Sequence, residues 1–130
     1  MIPAISVILP VFNGEDYLSQ AIDSILNQSF IDFELIIVND GSTDRSQEII
    51  QSYGDTRIHA ILNPTNLGLV GALNIGIKHA RGKYIARQDQ DDISDQDRLK
   101  LQFLKMEEDL IDICGTRWIS IDSNGKALST

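Results

Sequence analysis

Short, almost wholly apolar runs alternate along this chain with stretches whose apolar residues recur at helical spacing, and that alternation restricts the fold most tightly. The first run, Ile5 to Val11, reads Ile-Ser-Val-Ile-Leu-Pro-Val. A strand apolar on both of its alternating faces is one covered on both sides, as in a parallel sheet. Pro10 has no N–H to offer a ladder and predicts the end of this strand. Phe33 to Asn39 repeats the pattern, Arg57 to Leu62 is a weaker copy broken by Asn63-Pro64, and Lys83 to Gln88 is the next. Between the runs lie helical stripes: Leu18, Ala21, Ile22, Ile25 and Leu26; then Ile49, Ile50 and Tyr53. Val70, Leu73, Ile77 and Ala80 form another, and Leu99, Phe103, Met106 and Leu110 the last.

The expected helix starts follow from capping chemistry. Asn13-Gly14-Glu15-Asp16 supplies a cap and an acidic first turn, Ser42 or Thr43 caps the second helix, and Ser94 or Asp95 caps the fourth. Ile111 to Ile121 reads as a final strand, and Asn124-Gly125 as a tight hairpin turn with positive φ at both positions. Strands alternating with helices imply right-handed crossovers and an α/β fold: a three-layer, doubly wound, mostly parallel sheet, with an order such as 3-2-1-4. Residues 1–130 make a single domain with a sizeable core. A returning strand would begin just after the Asn124-Gly125 turn, so the expectation is a truncated domain, the first half of a longer enzyme.

Charge narrows the partners. The net charge is −8 with a pI near 4.5 and no run of Lys or Arg, which excludes nucleic acid and asks any phosphate-bearing ligand to come with a neutralising metal. The single cysteine, Cys114, rules out an internal disulfide framework and sits in an apolar run where core packing is its expected role. No leader-like segment and no apolar run near the ~20 residues of a membrane helix is present, so the expectation is a cytoplasmic chain.

The polar residues cluster just after the apolar runs. In doubly wound sheets ligands bind beyond the carboxyl ends of the strands, where the strand order switches. For an order of 3-2-1-4 that brings together Pro10 to Asp16, the loop at Asp40, and Gln88 to Asp92. The helix after the first run opens with Glu15 and Asp16, which would repel phosphate, and no glycine-rich phosphate loop occurs. A nucleotide would therefore lay its base or ribose near the first two strands, with Phe12 to stack on the base and Asp40 to accept hydrogen bonds. Its phosphates would lie near Asp89-Gln90-Asp91-Asp92. In an extended chain Asp89 and Asp91 point one way and Asp92 the other, a pairing that suits Mn2+ or Mg2+. By spacing alone, the triplet reads equally as a solvated acidic turn, Phe12 as core, and Asp40 as a turn residue bonding its own backbone.

Four motifs in order, Ile5-Ser6-Val7-Ile8-Leu9-Pro10-Val11-Phe12-Asn13, Asn39-Asp40-Gly41-Ser42-Thr43-Asp44, Asn66-Leu67-Gly68 and Ala80 to Asp92, resemble family 2 glycosyltransferases of the GT-A fold. The resemblance runs from about Ile5 to Trp118. It implies a nucleotide-sugar site of Pro10, Val11, Phe12, Asn13, Glu15, Asp40, Asn66, Asp89 and Gln90. Phe12 lies by the base, Asp40 bonds it, Asp91 ligates the metal, and Asp89 is a ribose partner or further ligand. It also implies a nucleoside-diphosphate sugar as donor, UDP-sugars favoured, a saccharide or lipid-linked acceptor, inversion, and a role in polysaccharide synthesis. The full-length enzyme would sit in the cytoplasm, peripherally at the inner face of the membrane.

Two departures stand out. Gln96 replaces the proline that many members carry after the acidic triplet. No counterpart of the catalytic base is visible, since Asp95 and Asp97 lie at a helix start and Asp122 at a turn. No catalytic residue is therefore assigned, and the base is expected beyond Thr130. A homodimer through the exposed C-terminal strand is also expected. Two competing readings are a receiver-like Mg2+-binding signalling domain and a non-catalytic module of the same fold.

Overall fold

In the computed structural model, which describes residues 1–129, one parallel sheet of four strands runs in the order β3-β2-β1-β4. The elements are β1 (Ile5–Val11), α1 (Leu18–Leu26), β2 (Phe33–Asp40), α2 (Ser46–Gln51), β3 (Ile58–Asn63), α3 (Gly68–His79), β4 (Tyr84–Arg87) and α4 (Arg98–Asp109). Every residue of β1 and β2 is buried, which is why their sequences are continuous rather than alternating. On one face, Leu18, Ile22 and Ile25 of α1, Ile50 of α2 and Leu99 of α4 pack on Val7, Leu9, Val11, Leu35 and Ile37. Burying such a side chain stabilises by about 1.5–3 kcal/mol. The other face holds α3, with Ala72 against Ile36 and Val38. A receiver-like sheet has β1 between β2 and β3; here β1 lies between β2 and β4, which excludes that reading.

The stripe expected to bury α3 does so only in part, through Ala80 against the Ile36 and Val38 cluster and a half-buried Leu73. Val70 and Ile77 are 71% and 48% exposed, and the buried residues are Ala72 and Gly76. A Cβ on Gly76 would lie 2.4 Å from Ile8 Cγ2, so small residues let the helix settle directly on the sheet. Close approach won over side-chain bulk.

Other boundaries shift for similar reasons. α1 begins only at Leu18, with no acidic first turn and no side-chain cap. Glu15 and Asp16 belong instead to a turn in which Tyr17 N and Leu18 N donate to Gly14 O. None of Ser42, Thr43, Ser94 or Asp95 caps a helix. Asp44 Oδ1 takes the Ser46 N–H of α2 at 2.9 Å, the Ser94 hydroxyl donates to Gln88 Oε1 at 2.7 Å, and Asp95 accepts from Asp97 N at 2.9 Å. Each expected cap is engaged elsewhere in the loop network.

Ile111 to Ile121 is not a strand. A strand needs a ladder partner, and this run has only an isolated antiparallel bridge between Ile121 and Ala127. Ile113, Trp118 and Ile119 are left 88%, 82% and 73% exposed. Cys114, within this run, is half-buried outside both core clusters. The turn that follows is present, but only Gly125 has positive φ, at 79°. The Asp122 carboxylate accepts from Asn124 N and Lys126 N, each at 2.9 Å, and that local bonding removes the need for a left-handed Asn124.

At the entry end of the sheet lies a buried polar network that hydrophobic patterning does not show. Glu34, its side chain 3% exposed, accepts from Ser6 Oγ at 2.6 Å and from Arg81 N at 2.9 Å. The Arg81 guanidinium chelates it through Nε and Nη2 at 2.9 and 2.6 Å. Burial alone would raise the Glu34 pKa, but the hydrogen bonds from Ser6 and Arg81 outweigh it and hold the carboxyl below its ordinary value. Ser6 Oγ also accepts from Gly82 N at 2.8 Å, tying the approach to β4 onto β1. A Cβ on Gly82 would lie 2.5 Å from Ser6 N and 2.7 Å from Ile5 C, against backbone that cannot move aside.

Two outcomes follow for stability. Gly82→Ala should destabilise by about 2 kcal/mol through overpacking, measured by chemical denaturation. A depressed folded pKa contributes stability above the unfolded value and loses it as pH falls through the folded one. Stability should therefore decline as pH drops below the ordinary Glu value of 4.5, and a pH series of denaturation curves should show part of that decline missing in Glu34→Gln.

Candidate functional site

The switch in strand order creates the cleft. β4 pairs with β1 only from Ile5↔Tyr84 to Ile8↔Arg87, whereas β1 and β2 stay paired as far as Val11↔Asn39. After a last bond from Gln88 N to Ile8 O at 3.0 Å, the chain beyond β4 leaves β1 and turns, closing with Asp92 N on Asp89 O at 3.2 Å. The space vacated beside Leu9 to Val11 is an open cleft of about 220 Å3 lined by Pro10, Val11, Phe12, Asp40, Leu69, Ala72, Arg87, Asp89, Gln90 and Asp91.

Seven of the residues singled out in the sequence thus line one cleft: Pro10, Val11, Phe12, Asp40, Asp89, Gln90 and Asp91. Phe12 is 44% exposed, its ring not used by either core cluster. Asp40 is 2% exposed. It does not bond its own turn; it accepts from Asn63 Nδ2 at 3.0 Å and from Leu67 N at 2.9 Å, anchoring the loop that leads into α3. Asp89 and Asp91 do both face the cleft, but from a turned rather than an extended backbone.

Asn13, Glu15 and Asn66 do not line this cleft. Asn13 has φ of 48° and joins the loops after β1 and β2. Its N–H donates to Ser42 Oγ at 3.0 Å and its Oδ1 accepts from Thr43 N at 2.8 Å. Glu15 accepts from Arg45 N at 3.0 Å, and Asn66 accepts from Gly68 N at 2.8 Å. All three act on backbone groups that hold the loops around the cleft in place.

Arg87, Leu69 and Ala72 are lining residues that patterning missed. Arg87 Nε and Nη2 chelate Asp89 at 2.8 and 3.1 Å, so the cleft holds a cation as well as carboxylates. An Arg two residues before the triplet at a strand end was the available signal. Asp91 has no such partner among the described residues. Beneath the turn, Gln88 is buried and donates to Asp92 O at 2.7 Å. Arg98 Nη1 donates to Arg87 O at 3.2 Å and to Gln88 Oε1 at 3.3 Å, while its buried Nε and Nη2 find no partner among the described residues. Burial lowers the Arg98 pKa, opposed by Asp92. Partial desolvation, then the charges of Asp89 and Asp91, push the Asp92 carboxyl above its ordinary value.

Among the described residues, no group of three or more His, Cys, Asp or Glu is placed to hold a metal. Asp91, with Asp89 beside it, offers hard oxygen ligands to one, which fits a cation that takes one or two protein carboxylates and completes its shell with water and phosphate. A base beyond Thr130 lies outside the described residues. No helix among them is long and apolar enough to cross a membrane.

Comparison with known proteins agrees with this geometry. An uncharacterized glycosyltransferase of Haemophilus influenzae is 48% identical over 102 residues, covering 77% of this chain and 41% of the relative. The uncharacterized glycosyltransferase EpsJ of Bacillus subtilis is 42% identical, covering 88% of this chain and 34% of its own length. The chain thus spans about a third to two fifths of these relatives. Among solved structures, S. aureus TarS (residues 1–349) superposes with a TM-score of 0.75 at 30% identity, covering 80% of this chain and 32% of TarS. The same TarS region has been crystallised with UDP and with UDP-GlcNAc. The parallel sheet with helices is that of GT-A glycosyltransferases. The sequence model of glycosyl transferase family 2 matches residues 6–129, and the chain belongs to that family.

Proposed function

We propose that this chain binds the donor of a glycosyl transfer, a nucleoside-diphosphate sugar with UDP-sugars favoured, in the cleft beyond β1, β2 and β4. One observation carries this: a half-exposed aromatic ring, a buried hydrogen-bond acceptor and a carboxylate pair, from three strand ends distant in sequence, line one cleft. The exposed face of Phe12 stacks on the base. Asp40 uses the lone pairs left by Asn63 and Leu67 to accept from base N–H or ribose O–H. Asp89, oriented by Arg87, meets the ribose, and Asp91 is the principal ligand for Mn2+ or Mg2+. When bound there, the cation stabilises the charge that develops on the leaving diphosphate. Arg87 adds positive charge in the same cleft. Asn13, Glu15 and Asn66 support the site through the loop backbones.

The acceptor is a hydroxyl of a saccharide or lipid-linked molecule, and attack from the face opposite the diphosphate gives inversion. On this reading the carboxylates lining the cleft serve the donor, and none of them is assigned as the base that takes the acceptor proton. Residues 1–130 are on this reading the donor-binding domain of a cytoplasmic enzyme attached at the inner face of the membrane. The exposed Ile113, Trp118 and Ile119 are the surface for a homodimer. The TarS complexes with UDP and UDP-GlcNAc support the choice of donor.

Calorimetric titration of the protein with UDP should show binding that depends on Mn2+. Asp91→Ala should weaken that binding about tenfold or more, or about 1.4 kcal/mol, with an unchanged circular dichroism spectrum. Metal-independent binding, or equal affinity in Asp91→Ala, overturns the assignment.

A further inference from the structure

We propose that Gln90 is a positioning residue that couples the nucleobase side of the cleft to its carboxylate side; this rests on the donor-site reading above. Where β4 departs from β1, the main-chain groups of Phe12 that face it have no strand to pair with. The Gln90 carboxamide supplies both partners: Phe12 N donates to Oε1 at 2.9 Å and Nε2 donates to Phe12 O at 3.1 Å. A side chain thereby replaces one rung of the ladder, meeting the demand of an otherwise orphaned N–H and C=O.

The neighbouring loop is shaped around this amide. Gly14 is buried, and a Cβ there would lie 2.6 Å from Gln90 Oε1 and 2.8 Å from Cδ. A side chain at that point would have to displace the carboxamide, so glycine leaves the amide its place against Phe12. Gln90 is also the residue between Asp89 and Asp91, so the backbone that aims the two carboxylates is bolted to the backbone that carries the Phe12 ring. The donor and acceptor it turns toward Phe12 are not available to a ligand. Substitution should therefore misplace the ring relative to Asp91 while leaving each half of the site in being. Glu would keep the bond from Phe12 N but set an oxygen against Phe12 O; Ala would lose both bonds.

The test compares Mn2+-UDP, which needs both sides, with Mn2+-pyrophosphate, which needs only the carboxylates. For Gln90→Ala and Gln90→Glu, calorimetry should show about a tenfold loss for Mn2+-UDP and less than about threefold for Mn2+-pyrophosphate. In a Phe12→Ala background, Gln90→Ala should cost less than about threefold further, because its effect acts through the ring. A merely structural residue would lower both ligands together with the melting temperature. Equal losses for the two ligands, or a full independent loss in the Phe12→Ala background, overturn this inference alone. Failure of the unaltered protein to bind Mn2+-UDP overturns the donor-site reading with it.

Discussion

β1 is paired on both edges and covered on both faces, and the rest of the molecule is arranged by that constraint. Its seven residues are all buried, so each backbone N–H and C=O must be satisfied by a neighbouring strand or by something standing in for one. β2 accompanies it to the end; β4 does not. The unequal lengths of the two ladders leave a gap on one side of β1, at the end where parallel sheets bind ligands. The cleft is the consequence of a short strand.

Side chains then do the work of backbone at both ends of the sheet. At the entry end, Glu34 gathers Ser6 and Arg81 and holds the approach to β4 against β1. At the cleft end, Gln90 takes the place of the missing rung at Phe12, and Ser42, Asp44 and Ser46 supply acceptors to Asn13, Glu15 and Gly14 N–H groups. Few of these bonds lie within one loop. They lace together loops distant in sequence, so the cleft is held in shape by the assembly rather than by any one loop. Of the residues with cap-forming chemistry, Ser42 is engaged with the loop after β1 and Ser94 with Gln88, while Asp95 bonds within its own turn.

The alternation of apolar runs was enough to give the α/β class with a mostly parallel sheet, because strands buried on both faces need helices on either side; which of the parallel orders is adopted was decided by the pairing of β1 with β2 and β4. It was not enough for the C-terminal run. Ile111 to Ile121 has strand-like composition, yet a strand exists only with a partner, and here Trp118 and Ile119 stay exposed. For α3, helical spacing marked the face only in part: Ala80 packs on the cluster, but Val70 and Ile77 stay exposed, and the buried residues are Ala72 and Gly76, whose smallness lets the helix meet Ile36 and Ile8.

Of the site, residue types at strand ends were visible in the chain itself: Phe12, Asp40, Asp89 and Asp91 stand directly after apolar runs, and parallel topology obliges strand ends to converge. What each side chain is bonded to was not visible, because those partners are distant in sequence. That Arg87 chelates Asp89, that Asp40 holds the loop before α3, and that Gln90 faces Phe12 rather than solvent were all decided by tertiary structure. Local sequence determines which residue types stand at the strand ends. Only the folded packing of loops determines which of their hydrogen-bonding capacities remain free for a ligand.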